Sequence, residues 1–78
     1  MSARLTEVFA RVLKLPAERL SDATSPENTA EWDSLAAMEL VSQIEETFGV
    51  QLTTLEIMRM RSLAVARDLL RAKGVPDV

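Results

Sequence analysis

The sequence predicts an all-α fold: a small four-helix bundle, three main helices plus a short third helix, with a long first loop. Three observations carry this. Apolar residues recur at helical spacing in three separate stretches. Aromatics stop at two Phe and one Trp, so the core must come from Leu, Val, Ile, Met and Ala, which favour helix packing over a sheet sandwich. At 78 residues there is room for one hydrophobic core, and residues 1–78 read as a single domain.

The first helix is expected from Ala3 to Lys14, capped by Ser2. Its stripe is Leu5, Val8, Phe9, Val12 and Leu13, and Glu7 and Arg11 form an i,i+4 pair on the other side. Pro16 stops this helix or opens one further turn, PAERL. Residues 21–33, SDATSPENTAEWD, show no apolar period; loops this long are either functional or disordered. Leu20 and Trp32 are its expected pins, Trp32 as a hydrophobic plug.

The second helix should run from Ser34 to Phe48, with Gly49 just past its end. Ala37, Leu40, Val41, Ile44 and Phe48 face the core, and Leu35 and Met38 sit at the edge of that stripe. Val50 and Leu52 pack next, and Thr53 with Glu56 fits a capping box that opens the short third helix. Ser62 caps the last helix, whose buried face is Leu63, Ala66, Leu69 and Leu70. Arg71 and Lys73 suit its C-terminus, and Gly74 with Pro76 ends it. Met60 reads as core and Met38 as a contact residue, with Met58 open between docking surface and core.

Composition excludes whole classes of function. Nearly half the residues are apolar (47%), which rules out a disordered chain. The absence of both His and Cys removes Ser-His and Cys-His nucleophiles, disulfides, thiolate metal sites and the commonest metal ligand. An enzyme acting alone is not expected, nor is a metal site. The charged N-terminus is neither signal peptide nor membrane span, and a reducing, cytoplasmic setting is the default. The net charge of −3 hides a segregation: between Leu20 and Met58 lie eight acids and no Lys or Arg, while the flanks hold all nine basic residues. Such a middle repels nucleic acid and steers toward a basic protein surface, although a solvated face without a partner gives the same pattern.

The stretch EWDSLAAMELV concentrates the question of function. Asp33 is a good N-cap, and Ser34 then takes the first helical position, where serine is common and needs no function. Two features point the other way. A serine there stands beside unpaired backbone N–H groups that favour a phosphate. Glu45 and Glu46 occupy a last turn where the helix dipole prefers cations, and a local rule broken without local gain marks functional surface.

The run Asp33-Ser34-Leu35, then Glu39-Leu40-Val41, Ile44-Glu45-Glu46 and Phe48-Gly49-Val50, resembles an acyl carrier protein over nearly the whole chain. The resemblance implies that Ser34 bears a 4′-phosphopantetheine arm, taken from coenzyme A by a separate phosphopantetheinyl transferase. It also explains the missing thiol, since the cofactor brings the sulfur while the protein supplies tether and address. Acyl or aminoacyl cargo would be held as a thioester, loaded by a ligase or transferase and passed to a synthase or downstream transferase. The expected recognition residues are Asp33, Leu35, Met38, Glu39, Glu45 and Glu46, on a monomer that binds neither nucleic acid nor membrane. SPENTAEWDSL looks more like discrete carriers of specialised metabolism, polyketide or fatty-acid-like, than the housekeeping form. Departures accompany the likeness. Ala30-Glu31-Trp32 replaces the usual Leu-Gly-x, Ala36 stands where many members have an acid, and Arg59 and Arg61 stand where acids are frequent. The rival reading is a cofactor-free helical interaction module that uses the acidic face.

Overall fold

The computed structural model describes residues 4–75 and 78. Its helices are α1 (Arg4–Leu13), α2 (Ser34–Phe48), α3 (Thr54–Arg59) and α4 (Leu63–Ala72), with one 3-10 turn at Ala17–Arg19. No strand occurs among the described residues. The expected cap Ser2, the helical residue Ala3 and the helix-ending Pro76 lie outside them.

Helix α1 buries Leu5, Val8, Phe9 and Leu13. It ends one residue earlier than predicted, because Lys14 turns into the left-handed region at φ 58°. That turn lets the Leu15 N–H reach the Ala10 carbonyl at 3.1 Å, a closure usually built on glycine. Pro16 then opens the 3-10 turn, as one of its two readings proposed. No ion pair joins Glu7 to Arg11 among the described residues. Both are exposed, and an exposed i,i+4 pair is worth too little to hold two long side chains in place.

The core stripe of α2 is narrower than predicted. Leu40 and Ile44 are fully buried, while Ala37, Val41 and Phe48 pack against the core only in part. Leu35 and Met38 lie outside the stripe altogether, 76% and 72% exposed. Gly49 ends the helix at φ 67°, and its N–H donates to the Glu45 carbonyl. The last turn of α2 has no cation of its own, and α1 supplies one. Arg4 donates to the Thr47 carbonyl at 3.3 Å and lies 4.8 Å from the centre of the Phe48 ring. Glu45 corrects the broken-rule argument as well, because it does have a local function. Its Oε2 accepts the Leu52 N–H at 2.8 Å and so holds the chain leaving the helix.

Helix α3 starts on the predicted capping box. Thr53 Oγ1 accepts from the Glu56 N–H at 3.1 Å, and Glu56 Oε1 accepts from the Thr53 N–H at 2.9 Å. It buries no residue; Leu55 and Met58 are exposed, and Met60, just past its end, enters the core. Lys73 pairs with Glu56 at 2.9 Å and ties α3 to the end of α4. The Thr53 N–H first, and then Lys73, hold the Glu56 carboxyl below its ordinary range. In α4, Ser62 accepts from the Val65 N–H, and Leu63, Ala66 and Leu70 are buried. Leu69, assigned to that buried face, is half-buried at its edge.

The long loop is a chain of turns rather than a disordered strap. Thr24 N–H closes on Ser21, Asn28 N–H on Ser25 and Trp32 N–H on Thr29. Its carbonyls also cap α4: Leu63 N–H donates to Thr24 and Ala64 N–H to Asp22, at 3.0 and 3.2 Å. Arg67 pairs with Asp22 and Arg61 with Glu27. Trp32 closes the loop as a plug, 3% exposed, its ring edge-on to Phe9 with centroids 5.2 Å apart.

Candidate functional site

The buried Trp32 fixes the point from which α2 departs. Asp33 follows in extended conformation, and its Oδ1 accepts the Ala36 N–H at 2.9 Å. That bond, with the Ala37 N–H on the Asp33 carbonyl, accounts for two of the first donors of α2. The N–H groups of Ser34 and Leu35 come before the first intrahelical bond and face outward without a partner among the described residues. Ser34 itself is exposed, and its hydroxyl makes no hydrogen bond there.

Ser34 lies on an open cleft of about 430 Å³ whose walls also come from Pro26 of the loop, Trp32, Asp33, and Ile57, Met58 and Arg61 of the α3 region. Ala37 and Ile57 continue into a smaller apolar groove of about 220 Å³, completed by Met38 and Val41. Asp33, Ser34 and Met38 thus lie along one connected surface. Leu35 and Glu39 line a different hollow, toward Val12 and Lys14 of the α1 end. Glu46 is exposed further along α2, in the wall of a shallow depression that includes Ser42 and Gln51.

The acidic middle is less one-signed in space than in sequence. Asp22, Glu27 and Glu56 each face a cation from the C-terminal flank, and Asp33 and Glu45 bind backbone N–H groups. Among the described residues Glu31, Glu39 and Glu46 retain carboxylates without a partner. Glu39 and Glu46 are seven apart and share one face of α2. Of the predicted acidic pair, therefore, only Glu46 is both exposed and without a partner among the described residues.

Met58 was weighed as docking surface, whereas Leu55, Ile57 and Arg61 were not singled out as site residues. A signal for them was present, since TLEIMR is a short helix with three large apolar residues and no room to bury them all.

A serine attachment point needs an exposed hydroxyl, space around it and donors for an anion; Ser34 has all three, with the Asp33 carboxylate opposing in part. The residues therefore fit a phosphopantetheine arm. No group of three metal-ligating side chains occurs among the described residues, and no helix there is long and apolar enough to cross a membrane.

The family model described as "Phosphopantetheine attachment site" matches residues 3–70. The chain is also similar to "Highly reducing polyketide synthase ATR6" of Stachybotrys chlorohalonatus (strain IBT 40285), 46% identical over 57 residues. The match covers 73% of this chain and 2% of that synthase, so the chain spans only a small piece of its relative's length.

Proposed function

The chain belongs to the phosphopantetheine attachment-site family, that of the acyl carrier proteins, and from that membership we propose that Ser34 is the residue bearing the arm. The chain is a carrier and not a catalyst, and its family is defined by attached 4′-phosphopantetheine. When bound, the group supplies the thiol this Cys-free chain lacks, on which acyl or aminoacyl cargo is held as a thioester.

One observation carries the assignment: a free, exposed hydroxyl at the first position of α2, beside unpaired N–H groups, on an open cleft. Asp33 caps the helix, so the serine is not needed for that task. The likeness to a polyketide synthase supports polyketide or related biosynthesis as the setting. A phosphopantetheinyl transferase would install the arm, a ligase or transferase would load it, and a synthase would receive the cargo. Contacts of this kind must form and release quickly, which suits charge steering. Glu39 and Glu46, with Leu35 and Met38 exposed beside them, are the residues proposed to meet basic partner surfaces.

The test is intact mass after incubation with coenzyme A and a broad-specificity phosphopantetheinyl transferase. One arm should add to the wild type and none to Ser34→Ala, since Ser21, Ser25, Ser42 and Ser62 lack this setting and Ser2 lies outside the Asp33-Ser34-Leu35 run. Loading of the alanine variant overturns the assignment. Recognition is tested by reversing Glu39 and Glu46 to Lys, with Glu7 and Asp68 reversed as the control. The first pair should raise the apparent KM of loading more than it lowers kcat, with a salt dependence set by a Debye length of about 8 Å. Equal effects from both pairs would reduce recognition to net charge.

A further inference from the structure

The cleft around Ser34 has two charged residues in its walls, Asp33 and Arg61. The Asp33 carboxylate already holds the Ala36 N–H, and it stands next to any anion placed on Ser34. A phosphodiester at Ser34 therefore meets one carboxylate of like sign, and its counter-charge must come from across the cleft. Arg61 is the cation there.

The present partner of Arg61 is Glu27, through one Nη2–Oε2 contact. Both side chains are about 60% exposed, so water screens the pair and little holds it together. A guanidinium carries five N–H donors in a planar fork, and a single contact to Glu27 leaves most of them unused. The fork suits two phosphate oxygens side by side, and charge-assisted bonds of that kind are among the strong ones. The unpaired N–H groups of Ser34 and Leu35 offer further donors on the α2 side.

We propose that Arg61 is the counter-ion of the phosphodiester formed when Ser34 is loaded, and that Glu27 competes with the phosphate for it. This rests on Ser34 as the attachment point. Loading then draws the guanidinium from the long loop toward the start of α2, and Glu27 is released to solvent. The arm leaves the serine with its charged end held against the α3 side of the cleft.

Wild type, Arg61→Gln, Arg61→Lys and Glu27→Gln are each loaded to completion with excess transferase, and intact mass and the modified peptide are read first. The 31P resonance of the diester is then recorded in the folded protein and in urea. In the wild type the folded-state resonance should be displaced from its unfolded position and return toward it as salt is added. Arg61→Gln should abolish the displacement, Arg61→Lys should restore part of it, and Glu27→Gln should enlarge it. Identical folded-state resonances in wild type and Arg61→Gln overturn the proposal while leaving Ser34 assigned. A missing mass gain, or an arm on another residue, overturns the attachment reading itself, and the contact falls with it.

Discussion

The two ends of α2 are finished in opposite ways. At the C-terminal end Gly49 turns the chain, Arg4 reaches across from α1 to the Thr47 carbonyl and the Phe48 ring, and Glu45 holds the Leu52 N–H. At the N-terminal end Asp33 secures one donor with its side chain, two others stay open, and the serine hydroxyl beside them makes no hydrogen bond among the described residues. The difference separates anchoring from presentation. Interactions that fix the helix gather at the end away from Ser34, and the end that presents the Ser34 hydroxyl follows directly on the buried Trp32.

The largest expected effect removes that support. Trp32→Ala should destabilise the fold by about 3–5 kcal/mol, read by denaturant unfolding, because a fully buried ring packed on Phe9 is lost. An unchanged midpoint would mean that the two ends are not held by different means. Glu45→Ala comes next, at about 1–2 kcal/mol: a hydrogen bond to a charged group is lost, and relief of an anion at a helix C-terminus offsets part of it. Stabilisation instead would show that the dipole outweighs the Leu52 bond. Ser34→Ala should shift stability by no more than about 0.5 kcal/mol, the range of an exposed site without partners, while abolishing loading. A large stability loss there would make the serine structural and erase the contrast.

The smallest effect lies away from α2, at Glu56. Its folded-state pKa is lowered, so its contribution to stability is complete above the ordinary glutamate value of about 4.3 and is lost as pH falls through the folded value. Glu56→Gln should flatten the acid limb of the stability profile measured by unfolding between neutral pH and the acid transition. An unaltered limb would assign acid sensitivity to other carboxylates.

What the sequence made legible was whatever rests on local chemistry. Period 3.6 located the helices, Asp33, Thr53 and Ser62 declared themselves as caps, and Gly49 marked a C-terminus. What it hid depended on partners far along the chain. The end of α1 was misjudged by one residue because Lys14 takes a conformation its side chain disfavours. The acids of the middle segment looked free, because Arg61, Arg67 and Lys73 approach them only in three dimensions. Glu45 looked like surface for the same reason, since its partner is a backbone amide after the helix. Ser34 stood out as a candidate chiefly through resemblance to a family, since a serine behind a capping aspartate is common and, of the two local signals, the dipole argument fails at Glu45, which holds the Leu52 N–H.

The fastening of the long loop to α4 has a kinetic meaning. The amides of Leu63 and Ala64 are bonded to carbonyls of Thr24 and Asp22, which no local fluctuation of α4 alone can reproduce. These bonds close only after the intervening chain, α2 included, has been brought round, and that closure carries the entropic cost of a long excursion. Hydrogen exchange at these two amides therefore reports separation of the loop from α4 as well as fraying at the helix start. The same closure seats Trp32 and aims the first turn of α2. If Ser34 bears the arm as proposed, a chain that has not finished folding would offer a transferase no ordered serine, and attachment would double as a readout of completed assembly.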